Sequence, residues 1–216
     1  MKTKRLLEDA ILGSIISNGY DGNIREAMQF LTFKNFETYE DFDNKLLFKC
    51  ISEMYAEQTI DLCTIAFRMK QTYNTECVTH LIRLTSMVAS TTNTLSHCAC
   101  LLQIDLTDKF CKLLNDLSNN NNLPVDERLL ISSTEKEIQE SGIDILQAVP
   151  AVLKMAQLKN LNSLVISHVS KFNVAVEEKC KNIREAQKKH SIISNMWLLC
   201  KSEKAKQLLT QLKFEI

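Results

Sequence analysis

The segment Asn44–Lys70 constrains the fold of this chain more than any other stretch. Its apolar residues recur at steps of three and four on either side of a break near Asp61, which places them on one face of each of two helices. They are Leu47, Phe48, Ile51, Met54 and Tyr55 before the break and Leu62, Ile65, Ala66 and Met69 after it. Asp61 is placed to cap the second helix, and Ile60 to pack against Ile65 one turn later. The segment predicts a helical corner whose apolar faces require other helices to cover them.

The scarcity of helix-breaking residues extends this prediction to the whole chain. Only 4 Gly and 2 Pro occur in 216 residues, which favours long helices over a turn-rich β architecture. We therefore predict an all-α protein with a compact helical head over residues 1–117. An αα-hairpin over 105–140 shares the end of the head, and a connecting helix with a basic helical extension covers 141–216.

Gly13 lies inside the first predicted helix, which covers residues 4–16. Glycine within a helix costs about 1 kcal/mol relative to alanine, so we expect a neighbouring helix to approach closely there. Further helices are predicted over residues 24–31, 37–57, 62–69, 75–87, 94–117 and 126–140, followed by one that Asp144 caps. Phe33 and Phe36 are interpreted as core anchors, and Leu81, Ile82 and Val88 are expected to point inward.

The formal net charge of zero conceals a division along the chain. Residues 1–150 contain 14 Lys and Arg against 21 Asp and Glu, whereas residues 151–216 contain 12 against 5. The division is typical either of solvated helix faces or of an acidic head that carries a basic tail. In the tail, the residues interpreted as contacts for a partner or a nucleic acid are Lys179, Lys181, Arg184, Lys188, Lys189 and Trp197. A last amphipathic helix is predicted from Lys204 to Phe214.

Most of the 8 cysteines fall on apolar positions of helical patterns, where a reduced cysteine behaves as a small hydrophobe. Cys98 and Cys100 form the only close pair, but residues two apart on a helix point to different sides and cannot easily hold one metal ion. With His80 and His97 nearby in the sequence, a zinc site is the alternative to buried reduced thiols; the sequence favours the thiols and predicts no metal site. Glu8 and Asp9 interrupt the apolar run that a signal peptide would need, so reduced thiols without an export signal predict a cytoplasmic protein. No window is long and apolar enough to predict a membrane span.

The central corner also resembles the N-terminal domain of the DnaB family of replicative helicases. The matching residues are Phe48, Ile51, Met54, Tyr55, Ile60, Asp61, Leu62 and Thr64, with Glu8 and Gly13 near the start, a phenylalanine loop at Phe33 and Phe36, and Ser90, Asn93, Ala99, Leu101 and Leu102 further on. The resemblance covers residues 8 to about 158. It implies an all-helical, non-catalytic module that associates with its own kind and contacts primase.

The sequence departs from the family pattern at several positions. Asp43-Asn44-Lys45 stands where proline or histidine is usual, Cys98 stands where tyrosine is common, and Lys109 or Lys112 replaces an arginine. In the helicases the hairpin pairs between neighbouring subunits. The residues that the resemblance and the two apolar stripes together assign to self-association are Phe110, Leu113, Leu114, Leu117, Leu129, Leu130 and Ile138. The C-terminal helices are the alternative cover for these stripes, and they would leave a monomer.

A search for reactive chemistry yields no candidate catalytic or cofactor-binding residue. A RecA-like motor requires a glycine-rich phosphate loop with lysine, and the last glycine of this chain is Gly142. The adjacent acids Glu8-Asp9 and Glu177-Glu178 are interpreted as solvated surface. We therefore predict that this chain is not an enzyme and needs no cofactor.

Three functions remain open at this point. The first is a replication module that self-associates and binds primase, helicase or a helicase loader, with the C-terminal helicase-binding region of primase as a variant of the same class. The second is a small nucleic-acid-binding helical protein that uses its basic tail. The third is a structural helical bundle without a role in replication.

Overall fold

The computed structural model describes residues 2–19, 21–57, 60–88 and 91–199, without the side chains of residues 2, 23, 92 and 190–199. This part of the chain is all-α, as predicted, and contains no strand. Its helices are α1 (Lys2–Asn18), α2 (Gly22–Phe30), α3 (Asn44–Glu57), α4 (Leu62–Tyr73), α5 (Val78–Ser86), α6 (Thr94–Ser118), α7 (Val125–Ser141), α8 (Ile145–Leu158) and α9 (Ser163–Leu199). None of these described helices is both long and apolar enough to cross a membrane.

The chain divides into two compact units, which we call unit 1 and unit 2. Unit 1 comprises residues 1–102 and 183–216, and unit 2 comprises residues 103–182. The expectation from sequence placed the end of the head at Leu117. The helical pattern of α6 is unbroken from Thr94 onward, so periodicity carries no sign of the change in packing partners after Leu102.

The core of unit 1 is built on the predicted corner between α3 and α4. Asp61 caps α4 as expected, since its carboxylate accepts a hydrogen bond of 2.9 Å from the backbone N–H of Thr64. Ile60 and Ile65 are both buried. The buried side chains of α3 and α4 are Leu47, Phe48, Cys50, Ile51, Met54, Ile65 and Met69. Phe36 stacks on Phe48 with ring centroids 4.2 Å apart and closes this core.

Helix α1 packs along α5 through its glycine. A β carbon at Gly13 would lie 2.7 Å from the Val88 side chain and closer still to the carbonyl oxygen of Leu84. A β carbon essentially never lies under 3.0 Å from a non-bonded atom, so an alanine here would require the two helices to move apart. The close approach predicted from Gly13 is therefore confirmed, and α5 is the neighbour.

Several local expectations for unit 1 are wrong. Helix α3 begins at Asn44 rather than near Glu37, because residues 38–43 form a loop closed by an isolated bridge between Thr38 and Asp43. Phe33 is 40% exposed and is not a core anchor, and Ile82 is 54% exposed and does not point inward. Helix α5 is short, and its buried face is satisfied by Leu81 and Leu84, which turns Ile82 outward.

The core of unit 2 is formed by α7, α8 and parts of α6 and α9. Its side chains are Leu106, Phe110, Cys111, Leu114, Leu117, Leu123, Ile131, Ile138, Ile145, Ala148, Val149, Val152, Ala156, Leu161, Val165, Val169 and Val176. Phe110 on α6 stacks on Phe172 of α9 with centroids 5.1 Å apart. Gly142 ends α7 in the left-handed conformation, and Asp144 caps α8 by accepting a hydrogen bond from Leu146, both as expected.

The cysteines follow the burial of their helices. Cys50, Cys77, Cys98 and Cys111 are buried, whereas Cys63 and Cys100 are exposed. Burial raises the pKa of the Cys98 and Cys111 thiols above their ordinary value. In the described residues no three His, Cys, Asp or Glu side chains converge in a way that could hold a metal ion.

Candidate protein-interaction surfaces

A buried polar network lies where α1, α3 and α5 of unit 1 meet. The side chain of Asn44, which is fully buried, donates to Glu8 at 3.2 Å and to Asp9 at 3.0 Å. Glu8 and Asp9 are 0% and 1% exposed. The expectation that this acidic pair is solvated surface is therefore wrong, because two other helices supply the donors that a buried carboxylate needs. Glu177 and Glu178, by contrast, are exposed as expected.

Helix α5 supplies the positive charge of this network. Arg83 Nη1 lies 3.0 Å from Asp9 Oδ2, and Arg83 Nη2 lies 3.3 Å from His80 Nδ1. His80 Nε2 lies 3.3 Å from Asn44 Oδ1, so the imidazole and the amide are joined as well. Phe42 stacks on the imidazole with centroids 3.8 Å apart. The network therefore fixes α5 against α1 and the start of α3.

Burial shifts the titration of two groups in this network. Burial raises the pKa of Glu8 to about 7, although hydrogen bonds from Asn44 and from the backbone of Glu37 act in the opposite direction. Burial, together with the nearby charge of Arg83, lowers the pKa of His80 to about 4. At neutral pH the imidazole is consequently uncharged, and Glu8 is distributed between its two protonation states.

The outer side of α5 carries exposed apolar residues next to this network. Val78 and Ile82, one helical turn apart, are 45% and 54% exposed. Beside them a cavity of about 360 Å³ is lined by Asp41, Phe42, Glu76, Cys77, Val78, Thr79, His80 and Arg83. We call Val78, Ile82 and this cavity the α5 surface. It combines exposed apolar side chains with charges of both signs.

The residues predicted to mediate self-association lie mostly inside unit 2. Phe110, Leu114, Leu117 and Ile138 are at most 6% exposed, and Leu113 and Leu130 are half-buried. Leu129 alone among them is largely exposed, at 67%. The structure thus brings six of the seven into or against one core, where α8 and α9 cover them within a single chain. Their role in self-association stays a prediction.

The basic residues of the tail lie along α9. Lys179, Lys181, Arg184 and Lys188 are exposed, and Lys189 is half-buried with its ammonium 3.4 Å from Glu26 of α2. Lys181, Arg184 and Lys188 are spaced to lie on one side of the helix. The side chain of Trp197 and the predicted helix Lys204–Phe214 lie outside what the structure describes.

Sequence reasoning missed the network because its partners are far apart in the chain. Asn44 is separated from Glu8 by 36 positions, and helical periodicity carries no information on pairing over that distance. One signal was present. Asn44-Lys45 departs from the family pattern immediately before the Phe48 helix, and Asn44 is the residue that contacts Glu8 and Asp9.

The described residues thus form a helical domain whose exposed features are the α5 surface and the basic side of α9. Residues 2–103 match the family model of the DnaB-like helicase N terminal domain. That segment is accordingly a DnaB-like helicase N-terminal domain, as the resemblance had implied, and the match is to the non-catalytic part of these helicases. No curated protein and no solved structure matches the chain.

Proposed function

We propose that this protein is a non-catalytic module of DNA replication that acts by self-association and by binding a primase, a helicase or a helicase loader. The observation that carries the proposal is the family match over residues 2–103, which spans α1 to α5 of unit 1. Within that span the signature residues have structural roles. Phe48, Ile51 and Met54 fill the core, and Asp61 caps α4. The surface left for a partner is therefore made by residues outside the signature.

The α5 surface is the proposed partner-binding site of unit 1. Its apolar residues Val78 and Ile82 stand beside Arg83 and Asp41, so a partner could bury apolar area and form ion pairs at one place. Arg83 is also held by Asp9, which fixes its position before any partner binds. A preorganised charged group loses less conformational entropy on binding.

The test is binding of the full chain to the primase, the replicative helicase and the helicase loader of its own source. We expect one of them to bind the wild-type protein and to bind Val78→Asp/Ile82→Asp at least tenfold more weakly, because aspartate introduces an unpaired charge into an apolar contact. Gln71→Asp/Thr72→Asp is the matched control, since both of these residues are exposed on α4. Failure of the wild-type protein to bind any of the three would refute the proposal.

Absence of nucleotide hydrolysis belongs to the same proposal. The chain contains no glycine-rich phosphate loop, and the matching family model is that of a non-catalytic domain. We expect ATP turnover no higher than a buffer blank. Turnover that persists through repeated purification would contradict the proposal.

A second candidate function is nucleic-acid binding through α9, favoured by the exposure of Lys181, Arg184 and Lys188 along one side of that helix. If α9 binds phosphates, affinity for single- or double-stranded DNA falls steeply with salt, and Arg184→Ala/Lys188→Ala reduces the slope by about two counterions. Binding that does not change with salt would exclude it.

A further inference from the structure

Unit 2 carries an apolar groove between α7 and α8 that neither the family match nor the proposed function uses. Its volume is about 680 Å³, within the range that holds several side chains of a bound segment. The groove is lined by Thr134, Glu137, Ile138, Glu140, Ser141, Ile143, Ala148, Ala151, Val152 and Met155. Ile138, Ala148 and Val152 form a buried floor, and Ile143 and Met155 are half-buried.

The polar rim of this groove has a single sign of charge. Glu137 and Glu140 are both exposed and lie one turn apart on α7, and no lysine or arginine among the described residues lines the groove. Within the described part of the chain neither carboxylate forms a salt bridge or a side-chain hydrogen bond. An apolar floor with an acidic rim fits an amphipathic segment that combines leucines with lysines.

The sequence of this chain contains such a segment. Residues 203–214, which lie outside the described residues, place Leu208, Leu209 and Leu212 at helical spacing among Lys204, Lys206 and Lys213. We propose that the groove of unit 2 binds residues 203–214 of a second copy of the chain. A second copy is the proposed source because the proposed function includes self-association, and the groove and the segment carry the opposite charges that a contact between copies would use.

This contact is heterologous, since the groove of one copy receives the segment of another. It therefore generates assemblies that grow with concentration until a ring closes. It also differs from the predicted pairing of hairpin stripes, with which it shares Ile138, because its other lining residues belong to α8 and to the end of α7. The inference deepens the proposed function and rests on the self-association that it includes, because it names the residues through which one copy would bind another.

Charge reversal in the full-length chain tests the contact from both sides. We expect Glu137→Lys/Glu140→Lys and, separately, Lys204→Glu/Lys206→Glu each to raise the dissociation constant for self-association about tenfold, measured by sedimentation equilibrium. Asp116→Lys/Glu178→Lys is the matched control, because it makes the same charge change at two exposed positions of unit 2 away from the groove. The control should associate like the wild-type protein.

Mixing the two reversed proteins identifies the source of the segment. In a mixture each basic groove faces an acidic segment of the other protein, and each acidic groove faces a basic one, so association should return to within about twofold of wild type. Circular dichroism verifies that each variant keeps its helicity. If Glu137→Lys/Glu140→Lys unfolds, Lys204→Glu/Lys206→Glu still tests the contact, because it does not change any residue of the groove.

Three results would overturn the proposal. The first is a wild-type protein that stays monomeric at high concentration, and the second is a pair of charge-reversed proteins that associate as tightly as the control. The third is a mixture whose self-association stays weak although a single chain that carries all four reversals associates like the wild-type protein. The last result would place the contact within one chain. Binding of a replication partner to unit 1, measured on the same variants, should stay at the wild-type level, so failure of this inference is distinguishable from failure of the proposed function.

Discussion

Arg83 and Asp9 are joined across α5 and α1 by a salt bridge of 3.0 Å in which the carboxylate is almost completely buried. Asp9 and Arg83 are 74 positions apart in the sequence. Asp9 also accepts a hydrogen bond from Asn44, so removal of one partner leaves a buried charge with fewer ligands.

Replacing Arg83 by leucine should therefore lower the free energy of unfolding by about 2 kcal/mol, measured by urea denaturation. Arg68 provides the control, since its salt bridge to Glu57 lies at the surface and its replacement by alanine should cost much less than the Arg83 replacement. Equal losses in the two variants would show that the burial of Asp9 has no energetic weight.

Gly13→Ala should destabilise unit 1 although alanine is the better helix former. The added carbon would meet Val88 and the backbone of Leu84, so α1 and α5 would have to move apart. We expect this displacement to lower the free energy of unfolding by about 2 kcal/mol, which exceeds the gain of about 1 kcal/mol from the higher helix propensity of alanine. Ser17→Ala in the same helix is the control, because Ser17 is exposed and its replacement should change stability by less than about 0.5 kcal/mol. A melting temperature of Gly13→Ala at or above that of wild type would contradict the close approach.

Glu8 should make stability depend on pH. Its pKa is about 7 in the folded protein and 4.5 in the unfolded chain, so the folded state binds more protons between these values. The contribution of protonated Glu8 to the free energy of unfolding is fully present below pH 4.5 and is lost as pH rises through 7.

The Glu8→Gln variant isolates this effect, since glutamine stays neutral. The stability of wild type relative to Glu8→Gln should fall by about 3 kcal/mol from pH 4.5 to pH 8. His80 has a depressed pKa and gives the opposite slope between pH 4 and 6.5, so the comparison requires both proteins to retain His80. If the difference in stability between wild type and Glu8→Gln stays constant with pH, the pKa of Glu8 is the same in the folded and unfolded states.

Asp61→Ala should lower the free energy of unfolding by about 1 kcal/mol, because the first turn of α4 loses the acceptor for the Thr64 N–H. Asp61→Asn retains a cap and should recover most of the loss. The measurement is again urea denaturation, and an asparagine variant as unstable as the alanine variant would show that charge rather than capping is responsible.

Phe110 and Leu129 should respond in opposite ways to substitution. Phe110→Ala removes a fully buried ring that stacks on Phe172 and should cost about 4 kcal/mol. Leu129→Asp alters an exposed residue and should leave stability within about 0.5 kcal/mol of wild type. If the hairpin stripe mediates self-association, Leu129→Asp lowers the mass measured by light scattering, and an unchanged mass would remove Leu129 from any interface.

The sequence predicted those parts of the fold that local chemistry determines. The corner at Asp61, the cap at Asp144 and the start of α6 at Thr94 depend on a few consecutive residues, and each is confirmed. The close packing at Gly13 was predictable too, because an unfavourable residue inside a helix implies a neighbour.

The remainder depends on pairings that periodicity does not contain. Glu8 and Asp9 look like surface when α1 is considered alone, and only the arrival of Asn44 and Arg83 makes their burial tolerable. The apolar stripes of the hairpin gave no indication of which helices would cover them. Ile82 shows the same limit, since a short helix with an apolar residue on its outer face has no distinguishing sequence pattern.

The placement of the buried thiols provides a way to time the opening of each unit. Cys98 belongs to unit 1 and Cys111 to unit 2, and both are buried with a raised pKa, whereas Cys63 and Cys100 are exposed. Thiolates react and buried thiols do not, so an alkylating reagent modifies the exposed pair first and reaches the other two only when their unit opens. Rates of alkylation at these two positions, separated by mass spectrometry of peptides, would report two opening equilibria from one sample without any mutation.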